Sequence, residues 1–187
     1  KETKKTAERL SKAYYYTAYY ICPKCKRMYH DDSFKVINNT GDLFPQAENL
    51  TGPTIAVEVW TDGACTNNGT SQARASWGFV AGAHEEAGLV EGGKQTNNRG
   101  EGLAIYHALV WAAKNGHKKI KIHSDSQITL HGVLKHPDKV KENRDIFTLI
   151  FDLIQKEGLV VEYIKVRGHS TDVNNIRADK AATSVLI

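Results

Sequence analysis

Apolar and polar positions alternate from Ile55 to Trp60, with Ile55, Val57 and Val59 set against Ala56, Glu58 and Trp60, and the run stops at Asp62-Gly63. A period of two with β-branched residues predicts a half-buried strand, and Asp62 then stands where that strand leaves its sheet. Ser76 to Val80 and Ala87 to Val90 read as two further short strands, separated by Gly82 and Glu85-Glu86, which completes an antiparallel meander. The period changes at Thr96-Asn97-Asn98, side chains suited to capping a helix. From Arg99 to Asn115, Glu101, Ile105, Ala108, Leu109 and Ala112 recur at helical spacing, and Asn115-Gly116 is a stop signal. Lys119 to Asp125 is a second strand that runs into an aspartate. A short helix (Ser126 to Leu134), a break at Pro137 and an amphipathic helix with Ile146, Leu149, Ile150, Leu153 and Ile154 follow, closed by Gly158. Val160 to Val166 is a fifth strand, and a loop over Arg167 to Asp172 leads to a last helix that carries Asp179 early in its length.

Strand, helix and strand in succession predict a right-handed crossover and a parallel pair, so the strands ending at Asp62 and Asp125 present both carboxylates at one edge. The fold class is α/β, over residues 55–187. Residues 1–54 read as a separate basic, tyrosine-rich extension. There Tyr15/Tyr19 and Tyr16/Tyr20 fall at helical spacing, Cys22-Pro23-Lys24-Cys25 follows, and a turn-rich stretch runs to Pro53.

The chain of 187 residues is long enough for one core, and its net charge of +4 is unevenly placed. Residues 1–35 hold nine basic side chains against four acidic ones, which suggests either a solvated tail or a polyanionic partner met from that end. Tyrosines that stack on bases and lysines that pair with phosphates fit the second reading; packing against the main domain is the competing use of the tyrosines. No apolar run reaches the roughly 18 residues of a membrane helix. Together with three cysteines, too few for a disulfide framework, this predicts an intracellular protein, cytoplasmic or, in a eukaryote, nuclear or organellar. The chain opens on Lys1 rather than Met, as a trimmed chain or a piece of a longer protein would. Cys22, Cys25 and His30 make half of a zinc knuckle, a zinc site only if an unusual fourth ligand such as Asp31, Asp32 or Cys65 completes it, and otherwise plain thiols.

Asp62, Glu101, Asp125 and Asp179 are four acids that the expected topology can bring together. Crowded carboxylates raise one another's pKa and persist as anions only beside cations. Oxygen donors alone favour Mg²⁺ or Mn²⁺, and two such ions roughly 4 Å apart suit phosphodiester hydrolysis.

Thr61-Asp62-Gly63, Thr96-Asn97-Asn98-Arg99-Gly100-Glu101, Ser124-Asp125-Ser126-Gln127 and Gly168-His169 followed by Asn175 and Ala178-Asp179 resemble, in that order, the motifs of type 1 ribonuclease H. The resemblance implies a five-stranded mixed sheet flanked by helices, and endonucleolytic hydrolysis of the RNA strand of RNA/DNA hybrids with two Mg²⁺ ions. It makes Asp62, Glu101, Asp125 and Asp179 the metal ligands and His169 a mobile-loop histidine that aids proton transfer or product release. A solvated loop histidine is the alternative reading of His169 from the residues alone. By the same resemblance Asn68, Asn98 and Gln127 reach the hybrid's minor groove and Thr96 holds a phosphate of the DNA strand. Helix capping at Thr96 to Asn98 and turn formation at Asn68 are the structural alternatives.

Two features depart from the family pattern. The region between Asp125 and His169 lacks the extra basic helix and the Trp- and Lys-rich loop of some members, a compact form like the retroviral and some archaeal enzymes. Gly100 replaces a larger residue and predicts a looser first helical turn, at a cost of up to about 1 kcal/mol. A free-standing monomer, the ribonuclease H part of a reverse transcriptase or mobile-element polyprotein, and a non-catalytic nucleic-acid-binding module are the three contexts these residues allow. The four acids disfavour the last.

Overall fold

The computed structural model describes residues 55–168 and 171–187, together with the backbone of three short strands before them, β1 (Tyr15–Tyr16), β2 (Tyr19–Ile21) and β3 (Met28–His30). After these come β4 (Val57–Thr66), β5 (Arg74–Ala81), β6 (His84–Leu89), α1 (Asn97–Lys114), β7 (Lys119–Ser124) and α2 (Gln127–Val133). A 3-10 turn at Pro137–Lys139, α3 (Arg144–Glu157), β8 (Val160–Lys165) and α4 (Val173–Ser184) complete the chain. The sheet runs β1-β8-β7-β4-β5-β6. β4, β5 and β6 form the expected antiparallel meander, and β7 and β8 add in parallel. The five expected strands are therefore all present in one mixed sheet.

β1 makes a sixth strand, antiparallel to β8, with Tyr15 opposite Ile164 and Tyr16 opposite Tyr163. β2 and β3 pair as a separate hairpin. The helical spacing of the tyrosines is thus not used as a helix. Tyrosine favours extended backbone, and the open edge of β8 offers N–H and C=O groups that a strand can satisfy. Cys22 and Cys25 lie outside the described residues. Among the described residues no helix is long and apolar enough to cross a membrane.

β4 corrects the expectation that Asp62-Gly63 turns the chain. The strand continues to Thr66, with Asp62 opposite Gly78 and Thr66 opposite Arg74 on β5. Reversal comes only at Asn67, whose positive φ of 50° begins the turn. β6 likewise starts earlier than expected and includes Glu85-Glu86, because an edge strand leaves those side chains in water. α1 begins two residues early, capped by the Thr96 hydroxyl, which accepts from the Arg99 N–H at 3.2 Å. Gly158 closes α3 with φ of 60°, a left-handed stop that glycine adopts without strain.

Val59, Phe79, Ile120, Ile122, Val161 and Tyr163 from the sheet pack with Ile105 and Leu109 of α1 and Ile146 and Ile150 of α3 in one core. Arg99 ties α1 to α3 by a bidentate pair with Asp145, at 3.0 and 2.5 Å. Leu149, expected on the buried stripe of α3, is instead exposed.

Two helices approach the sheet so closely that only glycine fits beneath them. A Cβ on Gly63 would stand 2.3 Å from the Glu101 backbone nitrogen, and one on Gly100 2.2 Å from the Ser76 carbonyl oxygen. A Cβ on Gly78 would stand 2.6 Å from the Ala182 nitrogen. Asp62 and Gly78 are directly paired and share a face, so the adjacent Gly63 points the other way. α1 and α4 therefore cover opposite faces. Gly100 is not a loosened turn but the residue that lets α1 lie on β4 and β5.

Gly100→Ala gains helix propensity of up to about 1 kcal/mol but drives a methyl group into backbone, an overpacking cost of about 1–3 kcal/mol or more. Chemical denaturation should show net destabilisation; equal or higher stability would mean that the helix can move aside.

Candidate active site and metal centre

The parallel pairing of β4 and β7 ends with Thr61 opposite Ser124, so Asp62 and Asp125 are the next residues on adjacent strands. The glycine-mediated crossing of α1 over β4 brings Glu101 to the same place. One carboxylate oxygen from each of Asp62, Glu101 and Asp125 lies within 4.8 Å of the others. Asp179 stands apart from this tight group. It is the seventh residue of α4, mid-helix rather than early in it, and its side chain is exposed. Its charge nevertheless contributes to raising the Asp62 pKa, so it borders the cluster from the second face of the sheet.

The electrostatics of the group would favour a cation. Burial first, and then the charge of Asp125, push Asp62 from 3.8 up to about 7, although the Gly63 N–H donates to its Oδ1 at 2.8 Å. Glu101 is raised well above its ordinary value by burial and by the charges of Asp62 and Asp125. Its Oε2 is buried without a hydrogen-bond partner, while Oε1 accepts from Asn97 Nδ2 at 3.5 Å. An orphaned buried carboxylate oxygen facing two other carboxylates fits an oxygen-coordinated divalent metal ion. These three residues could hold one.

Lys165 escaped the sequence reading. Its Nζ donates to the Asp125 and Val166 carbonyls, and its charge lowers the Glu101 pKa slightly against the larger upward causes. The pairing of Ser124 with Lys165 on neighbouring parallel strands is the only cue to its place, and that register is invisible before the sheet is known. A Cβ on Gly168 would stand 2.9 Å from Asp125 Oδ2, so the loop leaving β8 passes directly over this carboxylate. His169, the next residue, lies outside the described residues.

Asn68 sits in the exposed turn after β4, Asn98 is the exposed residue of the first turn of α1, and Gln127 is exposed at the first position of α2. Thr96 caps α1, as its structural alternative supposed. Asn98 also lines a groove of about 480 Å³ with Ile128 and with Lys135, Lys139 and Lys141, three basic residues spread over a segment in which no basic helix was expected.

The sequence profile of the RNase H family matches residues 54–187. The chain belongs to the ribonuclease H family. Ribonuclease H1 of Mus musculus is 31% identical over 139 residues, 68% of this chain and 49% of that protein. Ribonuclease H of Orientia tsutsugamushi is 33% identical over 144 residues, 70% of this chain and 82% of that protein. The chain spans about half the length of the mammalian relatives it matches. Its fold is shared with LC11-RNase H1, a protein isolated from compost and solved in complex with an RNA/DNA hybrid. That complex aligns with a TM-score of 0.56 and 21% identity over 69% of this chain and 95% of the other. RNase H1 from the halophilic archaeon Halobacterium salinarum aligns with a TM-score of 0.51 and 25% identity over 70% and 97% of the two chains.

Both resolved shifts in the cluster are upward, so without metal Asp62 and Glu101 hold more protons in the folded chain than in the unfolded one between about pH 4 and about 7. The cluster's contribution to stability should therefore fall as pH rises through that window, against the opposite contribution of His107 and His123, whose pKa values burial lowers. Thermal melts with EDTA and with Mg²⁺ should show metal stabilisation that is larger at pH 8 than at pH 5. Asp62→Asn should stabilise the metal-free protein at pH 8, on the order of 1–3 kcal/mol, by removing a buried repulsion. No gain, or a gain only at low pH, would contradict the crowding.

Proposed function

We propose that residues 55–187 hydrolyse the RNA strand of RNA/DNA hybrids as an endonuclease that uses two divalent ions, Mg²⁺ or alternatively Mn²⁺. The carrying observation is the convergence of Asp62, Glu101 and Asp125 from β4, α1 and β7, two of them buried, with Asp179 at their border. Membership of the ribonuclease H family and the hybrid bound by LC11-RNase H1 support the substrate class.

In this reading Asp62, Glu101 and Asp125 hold the ions and Asp179 completes the second site. The chemistry that such ions supply when bound is a readily ionised water and neutralisation of the leaving oxygen. The rest falls to side chains. Asn68, Asn98 and Gln127 are exposed amides that can donate to and accept from 2′-hydroxyls and base edges in the minor groove. The Thr96 oxygen accepts from Arg99 and keeps its own O–H to donate to a phosphate of the DNA strand. His169 follows Gly168, where an added Cβ would stand 2.9 Å from Asp125 Oδ2, and an imidazole there suits proton transfer or product release. Residues 1–54 act as an extension that adds electrostatic affinity for the hybrid. The protein works as a monomer unless it is carried within a polyprotein, where the chemistry would be the same.

A labelled-strand assay on matched RNA/DNA, RNA/RNA and DNA/DNA duplexes tests the proposal, with the full chain and with one beginning near Thr54. Cleavage confined to the RNA of the hybrid, dependent on Mg²⁺ and stopped by EDTA, is expected. Asp125→Asn should remove cleavage and leave hybrid binding within about threefold, as unchanged surface contacts imply. Cleavage that survives this substitution, or hybrids left intact with both metals supplied, would reject the assignment. The shorter chain should bind hybrid more weakly, with a shallower salt dependence.

A further inference from the structure

Trp60 precedes Asp62 by two residues on β4 and therefore lies on the same face, toward α4. Its ring stacks on His123, its registered partner on β7, with centroids 4.3 Å apart and planes 8° from parallel. His123 Nε2 lies 3.2 Å from Glu58 Oε2, which holds the imidazole in place. The Trp60 indole N–H donates to Asp172 Oδ2 at 3.1 Å, while Asp172 Oδ1 accepts from the N–H groups of Asn174 and Asn175 at 2.9 and 3.1 Å. One carboxylate thus binds the strand with one oxygen and the first turn of α4 with the other.

The far end of α4 is held separately. Ser76 Oγ donates to the Ala182 carbonyl at 2.5 Å, and Gly78 allows the close approach of Ala182. Asp179 lies between the two anchors. Among the described residues no side chain hydrogen-bonds to or pairs with its exposed carboxylate, so its position follows that of the helix. Between the anchors Arg177 pairs with Glu85 at 2.5 Å and donates to the Gly82 carbonyl at 2.8 Å, which ties α4 to the β5–β6 side of the sheet, so loss of the Trp60 contact would free the first turn of α4 to shift away from β4 without releasing the helix.

We propose that Trp60 is a positioning residue, which holds the first turn of α4 against β4 through Asp172 and so sets the reach of Asp179 toward Asp62. The inference rests on the reading of Asp179 as a metal ligand. Trp60→Phe keeps an aromatic ring on His123 and removes the donor. Asp172→Ser keeps a capping oxygen for α4 on a side chain too short to reach the indole.

Mn²⁺ titration followed by calorimetry, alongside hybrid cleavage, reads the effect directly. Each variant should weaken the weaker of the two Mn²⁺ binding steps about tenfold. In an Asp179→Asn background neither should weaken binding by more than about twofold, because coupled residues are not additive. Affinity within about twofold of the parent chain in both variants, or the same loss with and without the Asp179 carboxylate, overturns the proposal. The Asp172→Ser arm stands if Trp60→Phe fails to fold. A parent chain that binds no Mn²⁺ and leaves hybrids intact defeats the metal reading as well. A parent that binds and cuts while both variants match it defeats this inference alone.

Discussion

Everything at the acidic site depends on backbone meeting backbone where α1 crosses β4 and β5. Gly63 and Gly100 remove the two β-carbons that would otherwise separate helix from sheet, and the helix settles until the Glu101 nitrogen and the Ser76 carbonyl occupy their places. A side chain at either position would lift α1 and with it Glu101. The same device recurs on the other face, where Gly78 admits Ala182 and fixes the end of α4. The sheet is thus gripped from both sides at β4 and β5, the strands beside the carboxylates, and close packing makes that grip stiff.

Stiffness is what allows like charges to be held together. Asp62 and Glu101 are buried and their acid forms are favoured, so the folded chain without metal works against its own electrostatics. A flexible site would relieve the strain by turning a side chain outward. Here the register of β4 with β7, the crossing of α1 and the Lys165 bonds to the Asp125 and Val166 carbonyls leave little room to do so. A divalent cation held there would neutralise the carboxylates and supply the partner that Glu101 Oε2 lacks. Stability and function therefore pull in opposite directions at the cluster and are reconciled by the core around Phe79, Ile105 and Ile122.

Much of this was legible before any coordinates. Alternation at Ile55 to Trp60 and Lys119 to Ser124, and helical spacing from Ile105 to Ala112, located the two strands and the helix that carry the three clustered acids, because burial on one face imposes those periods directly on the residues. Local rules failed where a non-local contact decided. Asp62-Gly63 has turn composition but stays extended, since pairing with Gly78 and packing under α1 outweigh turn preference. Tyr15 to Tyr20 has helical spacing, but Tyr15 and Tyr16 pair with β8 instead. Gly100 looked like a weak helical residue because propensity counts the helix and not the strand beneath it.

The chain on its own determined the kinds of element, their order, and which acids were available to chemistry, because hydrophobic period and residue type act over neighbours in sequence. Only the tertiary structure decided that Asp62, Glu101 and Asp125 form the tight group while Asp179 stays exposed at its border, that Lys165 belongs beside them, and that Trp60 reaches Asp172. Those distinctions depend on strand register and on how closely a helix can approach a sheet. Both are set by contacts between residues tens of positions apart, which no local pattern encodes.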